Sequence, residues 1–299
     1  GGGNYGATGV SSNSNSSYTN IIINDGFIEG SVYGGGNKNG SGSSSKTSTV
    51  NITMNGGNVV GSIYGGSNEQ GTIFGTVNVN VYGGEVTNSV YGGGRGGYTN
   101  SSNSGTFVRD DINVVIGDSS LNTTPIINKS VYGGSAYGTV NDSSSGNNVS
   151  SSKTKVTVNK GIIVNVFGGG EGNNTYTPYV MGDIEVTINN GTITNVFGGN
   201  DLKGKPNGNI TVTINDGNIT NTYGGGNETS ANTTNVYLNG GTVDKIFGGS
   251  NISGTVTTSN VTASGGTCTT LYGGNNAGGT TGVTNVLVDN GNITTVYGG

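Results

Sequence analysis

The sequence predicts an all-β fold, a single parallel β-helix (β-solenoid), right-handed, of ten coils across residues 1–299. Three observations predict it. An aromatic-Gly-Gly signature recurs ten times, the segments upstream of it alternate apolar and polar residues, and a Gly-containing turn stands at a fixed offset between the two. Such a pattern marks a repeat in which one coil cannot bury its apolar face alone and the stacking of coils makes the core.

The signature falls at Tyr33, Tyr64, Tyr91, Tyr132, Phe167, Phe197, Tyr223, Phe247, Tyr272 and Tyr297, at intervals of 31, 27, 41, 35, 30, 26, 24, 25 and 25 residues. A coil of about 25 residues that tolerates insertions follows from these spacings. Coils this long with uneven loops suit a right-handed helix, whereas the strict six-residue period of left-handed ones is missing.

Each coil opens on a long strand. Segments such as Val77-Asn78-Val79-Asn80-Val81, Ile184-Glu185-Val186-Thr187-Ile188 and Ile210-Thr211-Val212-Thr213-Ile214 alternate with period two, which turns one face inward. A turn follows. Six residues before the aromatic stand Gly161, Gly191, Gly217, Gly241, Gly266 and Gly291, each preceded by Asn, Asp, Lys or Gly, as a turn with φ > 0 favours.

A short second strand closes the coil. One inward column is the residue four before the aromatic: Ile163, Ile193, Ile219, Val243, Cys268 and Ile293. The other is the residue just before it, apolar in nine of ten coils and Thr222 in the tenth. The first three coils need one residue more between Gly and aromatic, as in Ile28-Glu29-Gly30-Ser31-Val32-Tyr33, which predicts a bulge or a wider corner early in the stack. The Gly-Gly turn and a variable polar loop come last.

Equivalent residues stacked about 4.8 Å apart form ladders of like side chains. The ten aromatics make one such ladder, and Asn24, Asn55, Asn159, Asn189, Asn215 and Asn239, just upstream of the turn, make another. The aromatics either stack inside or stand outward as a flat strip for sugar rings. Phe in place of Tyr at three positions, beside Gly residues that permit close approach, favours the inside.

Composition rules out a conventional globule. Hydrophobic residues are 29% and charged residues 9%, with 62 Gly, against an apolar share of about 45–50% in ordinary domains. Disordered chains share such values but lack β-branched and aromatic residues on a schedule. The formal charge of −5 with eleven scattered basic residues leaves no stripe for nucleic acid. No apolar run reaches the roughly 18 residues of a membrane span.

Catalytic and metal chemistry find little purchase. With no His and a single Cys, the commonest general base and a Cys-based zinc site are missing. The nearest carboxylate pairs, Asp110 with Asp111 and Asp183 with Glu185, do not recur in an adjacent coil, as a polysaccharide-cleaving site would require, and no spaced Asp-rich loop stands there to hold calcium through their oxygens. The expectation is no enzyme, no metal and no cofactor. Cys268 occupies an inward Ile/Val column and reads as an inert thiol. Asn-x-Ser/Thr triplets such as Asn51-Ile52-Thr53 and Asn251-Ile252-Ser253 are frequent in so Asn- and Thr-rich a chain.

The large insertions Asn37 to Thr49, Arg95 to Asp111, Ser135 to Lys155 and Glu171 to Asp183 follow the signature, and Asp118 to Asn128 does not. They project from one edge, as binding loops or as filler. Gly1-Gly2-Gly3-Asn4 reads as the tail of a preceding coil and Val296-Tyr297-Gly298-Gly299 as part of an unfinished one, so a longer repeat chain or an end-to-end filament is expected.

The phrases Val32-Tyr33-Gly34-Gly35-Gly36-Asn37, Asn195-Val196-Phe197-Gly198-Gly199-Asn200 and Asn218-Ile219-Thr220-Asn221-Thr222-Tyr223-Gly224-Gly225-Gly226-Asn227 resemble the "GGTVxNVYGGGN" repeats of very large surface proteins of anaerobic bacteria. The resemblance covers nearly all of the chain and implies an adhesin-like β-helix at the cell surface or outside the cell. It supplies no catalytic residues. The expected role is an extracellular structural fibre or adhesin-like solenoid, whose partners are further coils, glycans or other surface proteins. The alternative is a carbohydrate-binding β-helix that uses the aromatic strip or the one-edge loops.

Overall fold

The computed structural model describes residues 18–37, 49–97, 105–142 and 150–299. Gly1-Gly2-Gly3-Asn4 lies outside them, as do 38–48, 98–104 and 143–149 of the insertions. Among the described residues there are 25 strands and no helix. Every strand pairing is parallel, which makes the chain a parallel β-solenoid of about nine turns.

Strands such as Lys153–Val158, Asp183–Ile188 and Ile210–Ile214 stack residue on residue, Val156 on Val186 on Val212. Their inward positions bury completely while Lys155, Glu185 and Thr211 on the opposite face stay half-buried, as period-two alternation dictates. Ile163, Ile193, Ile219, Val243 and Cys268 close the core from the second side, together with the residue before each aromatic from Val32 to Leu271. Thr222 is buried in the same row.

The extra residue interrupts the second side early in the stack, and its effect reaches one coil further than the spacing predicts. The second side is split into two short pieces in the first three coils: Phe27–Ile28 with Val32–Tyr33, Asn58–Val59 with Ile63–Tyr64, and Glu85–Val86 with Val90–Tyr91. In the fourth, Ile126–Tyr132 shifts register between Ile127 and Ser130 against Ile162–Phe167, because five residues separate Ile127 from Tyr132 and four separate Ile163 from Phe167. From there the side runs straight.

Two expectations are corrected. The segments that read as polar loops contain a third side of the coil. Gly71–Ile73, Thr106–Val108, Thr139–Val140 and Tyr179–Val180 form a four-stranded parallel sheet whose Ile73, Val108, Val140 and Val180 point into the core. On this side the Arg109 guanidinium sits 5.9 Å from the Phe74 ring and 5.7 Å from the Phe107 ring and pairs with Asp142 at 2.9 Å.

Turn geometry is the second correction. Gly191, Gly217, Gly241, Gly266 and Gly291 adopt φ between 69° and 136°, but Gly161 does not lie in that region. The coil beneath it enters this corner through Pro125, whose carbonyl accepts the Ile162 N–H at 3.0 Å.

The first Gly of the signature answers a different demand. A Cβ on Gly168, Gly198 or Gly224 would overlap the carbonyl oxygen of the equivalent Gly in the next coil and press on a β-branched side chain of its long strand. Coils can therefore close to strand spacing at this corner only where no side chain intervenes.

Candidate functional site: the aromatic column and its polar flank

The ten signature rings form one continuous stack, with centroids 4.4–5.2 Å apart and planes within 3–9° of parallel. Each ring follows a residue that points into the aliphatic core, so it leaves the strand on the opposite face and belongs to a separate cluster. Yet from Tyr64 to Phe247 the rings are only 3–8% exposed. Tyr33 and Tyr272 are partly covered, and Tyr297 on the last coil is 49% exposed.

A second column covers the rings: the residue four after each aromatic, Asn37, Asn68, Arg95, Ala136, Glu171, Asp201, Asn227, Asn251 and Asn276. Consecutive backbone bonds hold it in register, Glu171 N–H to Ser135 carbonyl, Asp201 to Gly170 and Asn227 to Asn200. Ala136 packs directly among the aromatics. Tyr91 donates its hydroxyl to Glu171 at 2.6 Å and Tyr132 to Asp201 at 3.2 Å, each reaching two coils along the axis.

Burial pushes the Glu171 and Asp201 carboxyls above their ordinary range. It also pushes the Tyr64 phenol up to about 12. The Tyr91 and Tyr132 phenols rise further, first from burial and then from the carboxylates beside them. Glu171 and Asp201 thus occupy equivalent places in adjacent coils, the arrangement that Asp110, Asp111, Asp183 and Glu185 lack. Their constant offset from Phe167 and Phe197 is visible in the sequence, but the insertion that starts at Glu171 conceals it.

The Asn column upstream of the turn is two ladders. Asn55 donates to Asn24 at 2.8 Å, and Asn189, Asn215 and Asn239 each donate one coil back along a run that starts at Asn159. Tyr82 and Gly117 fill the two intervening coils, and the Asn159 amide reaches the Gly117 carbonyl instead at 3.2 Å. Further amide ladders run through Asn51, Asn78 and Asn113, through Asn165, Asn195 and Asn221, and through Asn235, Asn260 and Asn285. Another runs from Asp201 through Asn227 and Asn251 to Asn276. The triplet residues Asn51 and Asn251 are both ladder members.

The acidic candidates tie coils together. Asp110 accepts from Thr76 and Ser152, Asp111 from the Lys153 N–H, Asp183 from the Asn209 N–H, and Glu185 pairs with the Lys153 ammonium. Among the described residues no group of three Asp, Glu or Cys side chains gathers as a metal cage. Cys268 is buried, and burial raises its thiol to about 11.

Comparison with protein-family models, curated proteins and solved structures finds no match.

On the loop edge two further aromatics meet. Tyr137 and Tyr176 lie 5.6 Å apart with planes tilted by 41°, above Gly97. The Asn173 side chain accepts from the Thr175 and Tyr176 N–H groups at 2.8 Å, and Lys203 holds the Asn174 carbonyl, so the Tyr176 loop is fixed.

Proposed function

We propose that this chain is the load-carrying rod of an extracellular structural fibre or adhesin-like surface protein. One observation carries the reading: the aromatic stack is unbroken across all ten signatures. Nine steps at strand spacing give a rod segment of about 43 Å, with amide ladders parallel to the ring column.

A catalytic site needs a local departure where reactive groups converge. Here the notable buried carboxyls, Glu171 and Asp201, take phenol hydrogen bonds that lock the stack, and Asp110, Asp111, Asp183 and Glu185 join coil to coil. The chemistry is bland and repetitive, which suits a spacer that holds something else away from a cell. Atomic force spectroscopy of a single chain tests this: stepwise high-force unfolding of coils is expected, and extension at forces typical of a loose chain defeats the reading.

Carbohydrate binding is the second reading, and the Tyr137–Tyr176 pair favours a place for it on the loop edge. The strip version lacks support because neighbouring rings cover each other's faces and the flank column covers their edges. Glycan-array binding that is lost in Tyr176→Ala supports the loop version, and absence of binding removes it.

A further inference from the structure

We propose that the Asn190-Gly191 corner modifies itself: the Gly191 nitrogen closes on the Asn190 side chain, ammonia leaves, and an aspartate or isoaspartate slowly replaces the asparagine. The inference concerns how the solenoid ages and stands apart from the rod reading. Asn-Gly pairs occur among the described residues at Asn55, Asn190, Asn207, Asn239 and Asn290, and in sequence they look alike. The fold sets them apart.

Asn190 is exposed, and the Gly191 N–H donates to its Oδ1 at 2.7 Å. The side chain is therefore already folded back over the next peptide group, with the nitrogen beside the carbonyl it attacks. Gly191, at φ 136°, has no Cβ to obstruct the approach. Asn190 Nδ2, the group that must leave, makes no hydrogen bond with a described residue. Asn290 repeats the contact with Gly291 at 2.8 Å. The other three amides are held elsewhere. Asn55 Nδ2 donates to Asn24 Oδ1 at 2.8 Å and Asn239 Nδ2 to Asn215 Oδ1 at 2.9 Å, both within the amide ladders, and the Gly240 N–H is engaged by the Ile214 carbonyl at 3.3 Å. Asn207 Nδ2 points to the Met181 sulfur at 3.6 Å, beside a buried Gly208.

The reaction balances with water alone. Hydroxide takes the Gly191 N–H proton, the nitrogen attacks Cγ of Asn190, and the Cγ–Nδ2 bond breaks as Nδ2 takes a proton from water and leaves as ammonia. Water then opens the five-membered succinimide. Cleavage of the new N–Cγ bond leaves aspartate, and cleavage of the old peptide bond leaves isoaspartate, whose main chain runs through Cγ. Asp216 stands at the same place one coil on and accepts the Gly217 N–H at 2.7 Å, as Asp25 accepts that of Gly26, so aspartate fits this corner. Isoaspartate inserts one main-chain atom beside two fixed points, the Thr192 N–H on the Gly161 carbonyl at 2.9 Å and the Asn218 N–H on the Gly191 carbonyl at 2.8 Å, and loosens that step of the stack.

Peptide mass mapping of the whole chain during storage in mildly alkaline buffer tests the proposal, with isoaspartate scored by enzymatic methylation. Asn190 is expected to gain one mass unit at least about fivefold faster than Asn55 and Asn239, whose amides must first give up a hydrogen bond. In urea the rates are expected to converge, because the contacts that separate the pairs are lost. Asn24→Ala takes away the acceptor that holds Asn55 and is expected to speed the reaction at Asn55 severalfold while leaving that at Asn190 unchanged. A folded chain in which Asn190 reacts no faster than Asn55 and Asn239, a ranking that persists unchanged in urea, or an Asn24→Ala chain with an unaltered rate at Asn55 overturns the proposal.

Discussion

Gly224→Ala puts one of the close coil-to-coil approaches at the signature corner to a direct trial. The added Cβ would overlap the Gly248 carbonyl oxygen and would stand 3.1 Å from its carbon and 2.9 Å from Val236 Cγ2, where ordinary contact begins at 3.4 Å. The obstruction includes main chain, so no rotamer relieves it. Room comes only by parting two coils at a corner where Gly224 N–H donates to the Phe247 carbonyl at 2.8 Å and Gly225 N–H to Gly249 at 2.9 Å. Overpacking of this kind costs about 1–3 kcal/mol, and two weakened backbone bonds add about 1 kcal/mol each. The expected loss is therefore about 3–5 kcal/mol. Gly298 occupies the same signature position on the last described coil, where an added Cβ meets nothing within 4 Å. Gly298→Ala is expected to stay within about 0.5 kcal/mol of wild type. Urea unfolding followed by circular dichroism gives both values, compared as midpoints because repeat stacks need not unfold in one step. A Gly224→Ala midpoint equal to that of Gly298→Ala refutes the close-approach argument.

Glu171 gives a pH signature. Its folded carboxyl binds protons more tightly than the ordinary value of 4.5, so the folded state holds more protons and stability falls as pH rises from that value through the raised one. Glu171→Gln keeps an acceptor for Tyr91 and removes the charge, so it is expected to be more stable than wild type at neutral pH and equal to it near pH 4; an equal gap at both refutes the burial effect. Phe197→Ala opens a hole between Phe167 and Tyr223 and is expected to cost about 3–5 kcal/mol, whereas Phe197→Tyr sends a hydroxyl toward Asn251 two coils on and is expected to be near neutral; a costly Tyr refutes the assigned tilt of the column. Cys268, buried with its thiol raised to about 11, is expected to react with a maleimide only as the stack unfolds, and rapid labelling of the native chain refutes its placement.

Period, alternation and turn chemistry are local properties, and they were legible without coordinates. The ten aromatics, the inward Ile and Val columns and the extra residue before Tyr33, Tyr64 and Tyr91 all follow from counting along the chain, because a strand alternates its faces with period two. Alternation says that Val166 and Phe167 face opposite ways. It does not say what lies over Phe167. That depends on Glu171 and its column, brought over the rings by backbone bonds to coils about 25–40 residues away. For the same reason Val108, Val140 and Val180 passed for loop, since two or three residues of strand gain their inward face only from neighbours in other coils. The direction of the amide ladders is likewise a property of the stack, because an Asn side chain can donate or accept until a neighbour on each side decides which end it turns to which. The coil and its core were thus set by the order of residues, and the coverage of the aromatics and the polarity of the rod by the stacking of one coil on the next.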